Sequence, residues 1–228
     1  MNTLALLHGL RFVDSFFPSG GYAYSSGLEA AVQGGAVKDS AQLARYVEDL
    51  LRGAISRREA VVVAVAHKAA MTGKPQLVLT IDAELDAMKV GRESRLASRQ
   101  MGKQVIRAAA EQFEGCAVLQ QFHAKVEGGH TPGHLPVCVG ITLAACGWTR
   151  QETVVAFLYQ AAVGLVSAAM KLLPIGQREG QRLLEKWSPL LTELSRNTTA
   201  MSVMVSWSPV QDIYAMRHAR LESRLFRS

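Results

Sequence analysis

The sequence predicts an all-α protein: a single-domain helical bundle, residues 1–228, around a central buried helix at about 154–172. Three observations predict it. Apolar residues recur with helical period in segment after segment. Helix start and stop signals bracket those segments. Alternating strand patterns are scarce. The 228 residues can bury one large core, and 49% apolar against 19% charged residues excludes a disordered chain.

Taken in order, Leu4 to Val13 reads as a short helix ending at Asp14. In Asp14-Ser-Phe-Phe-Pro-Ser-Gly-Gly-Tyr-Ala-Tyr-Ser-Ser-Gly-Leu-Glu29, Pro18, Gly20 and Gly21 force a turn. The Lys-Ser/Thr pair of a phosphate loop is missing there. Leu28 to Gln33 resumes as helix and stops at Gly34-Gly35. Asp39 with Gln42 signals the next start, followed by the stripe Leu43, Tyr46, Val47, Leu50, Leu51 and Ala54. Ala60 to Ala70 reads as helix rather than strand despite Val61-Val-Val63, and Gly73 with Pro75 closes it. His67 within it is expected as a hydrogen-bonded core or boundary residue. One long segment, Ile81 to Glu114, has apolar ends and a polar middle around Glu93. That middle reads as a solvated face laced by i,i+3 and i,i+4 pairs, or as a docking surface.

Gly128-Gly-His-Thr-Pro-Gly-His134 is a glycine-rich loop, and Pro136 suits the first turn of a helix through Ala145. Imidazole ligates nickel, copper and zinc, so His130 and His134 are candidates for a transient metal contact, against exposed loop histidines as the simpler reading. The central helix is announced by Thr149 with Glu152, a capping-box pattern, and its run Val154 to Met170 is apolar almost all round, which demands burial in a core or a bilayer. Gln160, Ser167 and Lys171, and the lack of a second span, favour the core. Lys171-Leu-Leu-Pro-Ile-Gly-Gln-Arg-Glu-Gly-Gln181 is a polar turn. Its Lys171, Gln177 and Gln181 either join two helices or order a partner surface. The next helix is expected to be interrupted or kinked at Pro189. Ser208-Pro209 opens a last helix through Leu221. In the tail, Leu221, Leu225 and Phe226 fall at helix-compatible spacing among Arg217, Arg220, Arg224 and Arg227, a pattern suited to laying an apolar face on a partner or on the protein itself.

Cys116, Cys138 and Cys146 form no CxxC pair, which points to core thiols in a reducing compartment rather than disulfides or zinc. No secretory leader pattern is visible, so the cytoplasm is expected. The net charge of +6 is spread over several segments, favouring a protein-binding surface over nucleic acid. No HExxH, GxSxG, GxGxxG, Walker motif or acidic metal cluster is present. A helical nucleic-acid-binding module and an all-α enzyme with a buried site are the competing readings. Salt-dependent retention on nucleic acid would support the first.

Four stretches together resemble one family, the urease accessory proteins UreF. They are Asp14 to Glu29; His134-Leu-Pro-Val137 with Gly140; Lys171 to Gln177 with Gly180-Gln181; and Arg224-Leu-Phe-Arg-Ser228. Lys171 stands where the family pattern has Arg, and Ile175 where it has Leu; a lysine does not reproduce a bidentate arginine contact. The resemblance implies an all-helical cytoplasmic chaperone, not an enzyme, with no resident cofactor. It would bridge UreD (also called UreH) and the GTPase UreG on apo-urease, with a homodimer a further possible association, no nucleic acid and no membrane. It would modulate the GTPase and support GTP-dependent delivery of nickel. On that resemblance Arg224, Arg227 and Phe226 of the tail, with Lys171, Gln177 and Gln181, are the partner-binding candidates.

Overall fold

The computed structural model describes residues 2–206 and 208–227, and among these it contains no strand. The helices are α1 (Thr3–Val13), α2 (Leu28–Gln33), α3 (Ser40–Leu50), α4 (Ala60–Met71), α5 (Pro75–Met88), α6 (Arg92–Gln112), α7 (Ala117–Glu127), α8 (Leu135–Ala145), α9 (Arg150–Leu172), α10 (Gln177–Thr199) and α11 (Pro209–His218). Between α3 and α4 the chain runs without a break through a π-helix, Leu51–Glu59. The stripe read from Leu43 to Ala54 is buried throughout. The ambiguous Val61-Val-Val63 is helical.

Two helices make the centre. α8 is apolar on every side, and all its residues from Pro136 to Ala144 are buried. It packs against α4, α6 and α9. Its approach to α4 is close because Gly140 has no side chain: a Cβ there would stand 2.6 Å from the Val63 carbonyl oxygen. α9 packs on α4 and α10 with Val154, Phe157, Leu158, Leu165 and Val166. Gly180 of α10 lets Val166 approach in the same way. The predicted capping box is present: Glu152 N–H donates to Thr149 Oγ1 at 3.2 Å, and Thr149 N–H donates to Glu152 at 2.7 Å.

Several expectations are corrected. The central helix is not buried all round. Val155, Tyr159, Val163, Gly164 and Ser167 lie on a face that opens into a cleft, and Tyr159 is 46% exposed. The most enclosed helix is α8, because its neighbours cover it from more sides. α9 is the one helix among the described residues long and apolar enough to cross a bilayer, and half of that apolar window is buried inside the protein. The segment Ile81 to Glu114 is two helices, broken at Lys89-Val90-Gly91. Its polar middle is only in part a solvated face: Arg92, Gln100 and Lys103 are exposed, but Lys89 and Ser98 are buried, and Lys89 pairs with Glu59. Pro189 does not interrupt α10, which is a single helix. Pro189 is on the exposed side, while Trp187, Leu190 and Leu191 on the packed side hold the helix against the core.

Candidate protein-docking site

The C-terminal tail is not helical beyond His218. The expected helical spacing of Leu221, Leu225 and Phe226 therefore does not operate. Instead the tail runs back across the Asp14 to Glu29 stretch and is held there by backbone donors. Glu29, in the first turn of α2 and 2% exposed, accepts the N–H of Leu225 at 2.6 Å and of Phe226 at 3.0 Å. Gln33 donates to the Ser223 carbonyl at 3.0 Å, and Arg227 N–H donates to the Ala23 carbonyl at 2.8 Å.

His218 locks this arrangement. It ends α11, which packs on α2 and α6, and it is fully buried. Its Nε2 lies 2.9 Å from Glu29 and its Nδ1 2.8 Å from Glu93 of α6. Both ring nitrogens are thus engaged, each by a carboxylate oxygen. Arg224 pairs with the other oxygen of Glu93 at 3.0 Å. Burial by itself raises the Glu29 carboxyl, but the donors Leu225, His218 and Phe226 outweigh it and hold it below the usual carboxylate range. Glu93 thus pairs with His218 and Arg224 across elements rather than with its own helix's arginines.

The tail then places Phe226 in the core, 5% exposed, with the Lys171 ammonium 5.2 Å from its ring centroid. Leu225 beside it is 63% exposed, and the Arg224 and Arg227 side chains face outward. Lys171 and Gln181 line one cleft of about 960 Å³, which runs along the open face of α9 and takes in Phe17, Tyr24, Tyr159 and Val163. The structure therefore joins Lys171 to Phe226 and, through the cleft, to Gln181. Gln177 opens α10 on an exposed position and does not line the cleft.

The two loop histidines differ. His130 is exposed. His134 is fully buried as the residue preceding α8 and is not a mobile loop side chain. Its Nε2 faces Asp86 at 2.9 Å and its Nδ1 faces Ser98 Oγ at 3.1 Å. Ser98 Oγ also accepts the Leu135 N–H at 3.3 Å, so its hydroxyl donates to Nδ1 and the Nε2 hydrogen goes to Asp86. Burial holds the ring below its ordinary protonation range. Asp82, fully buried, fixes the same loop by accepting from Thr131 Oγ1 and from the N–H groups of Gly133 and His134. A metal at His134 would have to displace Asp86 or Ser98. Among the described residues no three His, Cys, Asp or Glu side chains converge as a metal-ligand set. His67, as expected, is a core residue, with Nε2 2.8 Å from the Trp148 carbonyl.

Sequence reading missed Glu29, Glu93 and His218 as the groups that organise the tail. Glu29 carried a readable signal: a carboxylate directly after Leu28 and before the apolar Ala30-Ala31-Val32, at the start of a short helix.

Comparison with known proteins identifies the family. The family model UreF matches residues 37–188. A urease accessory protein UreF from Actinobacillus pleuropneumoniae is 31% identical over 98% of both chains. Proteins of the same name from Methylorubrum populi and from Yersinia pestis strain Pestoides F are 31% and 29% identical, the first over 96% of this chain and 97% of its own, the second over 99% of each. The matched span of the family model and the near-complete coverage of these relatives show that the chain belongs to the UreF family of urease accessory proteins.

Proposed function

We propose that this protein is a cytoplasmic, non-catalytic chaperone of urease maturation that bridges UreD and the GTPase UreG on apo-urease and so supports nickel delivery, with nickel as cargo. The observation that carries the reading is the docked tail. A free chain end frays unless something fixes it. Here a buried bridge of two carboxylates and an imidazole fixes it, and leaves Leu225, Arg224 and Arg227 outward. An ordered, exposed strip with an apolar residue between arginines is a surface for an acidic-rimmed partner.

The test is Arg224→Ala. Its ion pair with Glu93 is partly solvated, with the Arg224 side chain 43% exposed. Such pairs contribute no more than about 1 kcal/mol, so the variant should remain folded. Size-exclusion co-elution with UreD and UreG should show weakened UreG recruitment, alongside an almost unchanged Tm. Full complex formation would remove Arg224 from the docking surface. A large fall in Tm would make the tail purely structural.

A further inference from the structure

A second cleft, of about 640 Å³, lies where α3 and the π-helix meet the start of α11. None of the tail residues 219–227 lines it, so it is separate from the docking strip. We propose that this cleft binds an acidic peptide segment of a partner protein, with Arg45, Arg52 and Arg57 holding its carboxylates and the Tyr46 hydroxyl donating from within.

Four observations carry this. First, the three arginines line the cleft and are all exposed, against one lining carboxylate, Asp49. Among the described residues, Arg45 and Arg57 form no ion pair. Arg52 meets Glu193 only at 3.9 Å, with both side chains more than half exposed. Second, the π-helix is what brings Arg52 and Arg57 together. Hydrogen bonding from i to i+5 stacks residues five apart, whereas the α-helical period would turn them onto different faces. Single π turns are found at functional sites, and this one spans nine residues.

Third, Tyr46 lines the cleft at 7% exposure, and its hydroxyl has no hydrogen-bond partner. A buried hydroxyl left unpaired is costly, so an incoming acceptor gains there. Burial, with Tyr214 and Asp212 nearby, pushes the phenol far up, so it remains a donor. Fourth, Val37, Pro209 and Val210 give the cleft an apolar part that suits the stem or neighbour of a glutamate. Guanidinium forks match carboxylates bidentately. Three of them beside apolar side chains fit a short acidic peptide better than the extended run of phosphates in a nucleic acid.

The experiment uses the full-length protein and a short fluorescein-labelled peptide of alternating glutamate and leucine, read by anisotropy. Saturable binding that weakens with added salt is expected. Arg45→Ala and Arg57→Ala should each weaken it about tenfold, as the loss of a charge-assisted hydrogen bond does. Tyr46→Phe should weaken it without lowering Tm, because the hydroxyl bonds to nothing in the free protein. Arg224→Ala should bind as wild type, which keeps this result independent of the tail. The proposal is overturned if the peptide does not bind, or if a lysine–leucine peptide binds equally well. It is also overturned if single-stranded DNA binds more tightly, if inorganic phosphate displaces the peptide at equal concentration, or if both arginine variants bind as wild type.

Discussion

His134 shows how one side chain can change its meaning between sequence and fold. In a glycine-rich loop it reads as a mobile ligand; in the structure both ring nitrogens are engaged by Asp86 and Ser98 in a site closed to solvent. His134→Ala should therefore destabilise the protein by about 2–3 kcal/mol, because it leaves two polar groups short of a partner and opens a void. Chemical denaturation measures this. Nickel titration of the same variant separates the two roles. Uptake equal to wild type assigns His134 to structure, and a loss of uptake returns it to the metal. Glu29 is the counterpart at the tail. Its carboxylate collects two backbone N–H groups and one imidazole, so a residue inside a motif acts by gathering three distant groups rather than by chemistry of its own.

At the scale of elements, two glycines make opposite predictions. Gly140 sits where α8 meets α4, and a Cβ there would press on the Val63 carbonyl oxygen at 2.6 Å. Gly140→Ala should cost about 1–3 kcal/mol, since the two backbones would have to separate. Gly164 lies on the open face of α9 with nothing within 4 Å of its missing Cβ. Gly164→Ala should stabilise the isolated protein by about 0.5–1 kcal/mol through helix propensity alone. Urea denaturation midpoints of the two variants, moving in opposite directions, would check both. A midpoint lowered by Gly164→Ala would mean that this face of α9 is covered in solution. The same open face explains why the apolar run Val154 to Met170 did not produce a fully enclosed helix. Burial follows the number of neighbours, and the cleft takes neighbours away from one side.

For the whole molecule, the perturbed carboxyls and the two perturbed histidines act in the same direction. Glu29, Glu59, Asp86 and Glu152 are held below their ordinary values of 4.5, 4.5, 3.8 and 4.5. On acidification the unfolded chain therefore binds protons first, and the stability these groups add above about pH 4.5 is lost as pH falls through their folded values. His67 and His134 are held below 6.5, chiefly by burial. Their unfolded forms also protonate first, so their contribution begins to fall below about pH 6.5. Tm should decline from neutrality toward pH 5 and more steeply below pH 4.5, as calorimetry across that range would show. A Tm that rises between pH 7 and pH 5 would contradict this.

The sequence by itself determined the helical class, most helix starts and the capping box at Thr149. Those features rest on period and on contacts three residues apart, which the order of residues specifies. It also singled out the stretches that meet at the tail, though as separate motifs. Tertiary structure alone decided that Glu29 and Glu93 share one buried imidazole 125 or more residues away, and that Lys171 sits over Phe226. It also decided that the chain between α3 and α4 winds as a π-helix. No local pattern encodes these, because each depends on which helix faces pack together. A buried charge gains its partner only after the packing of apolar faces has chosen its neighbours.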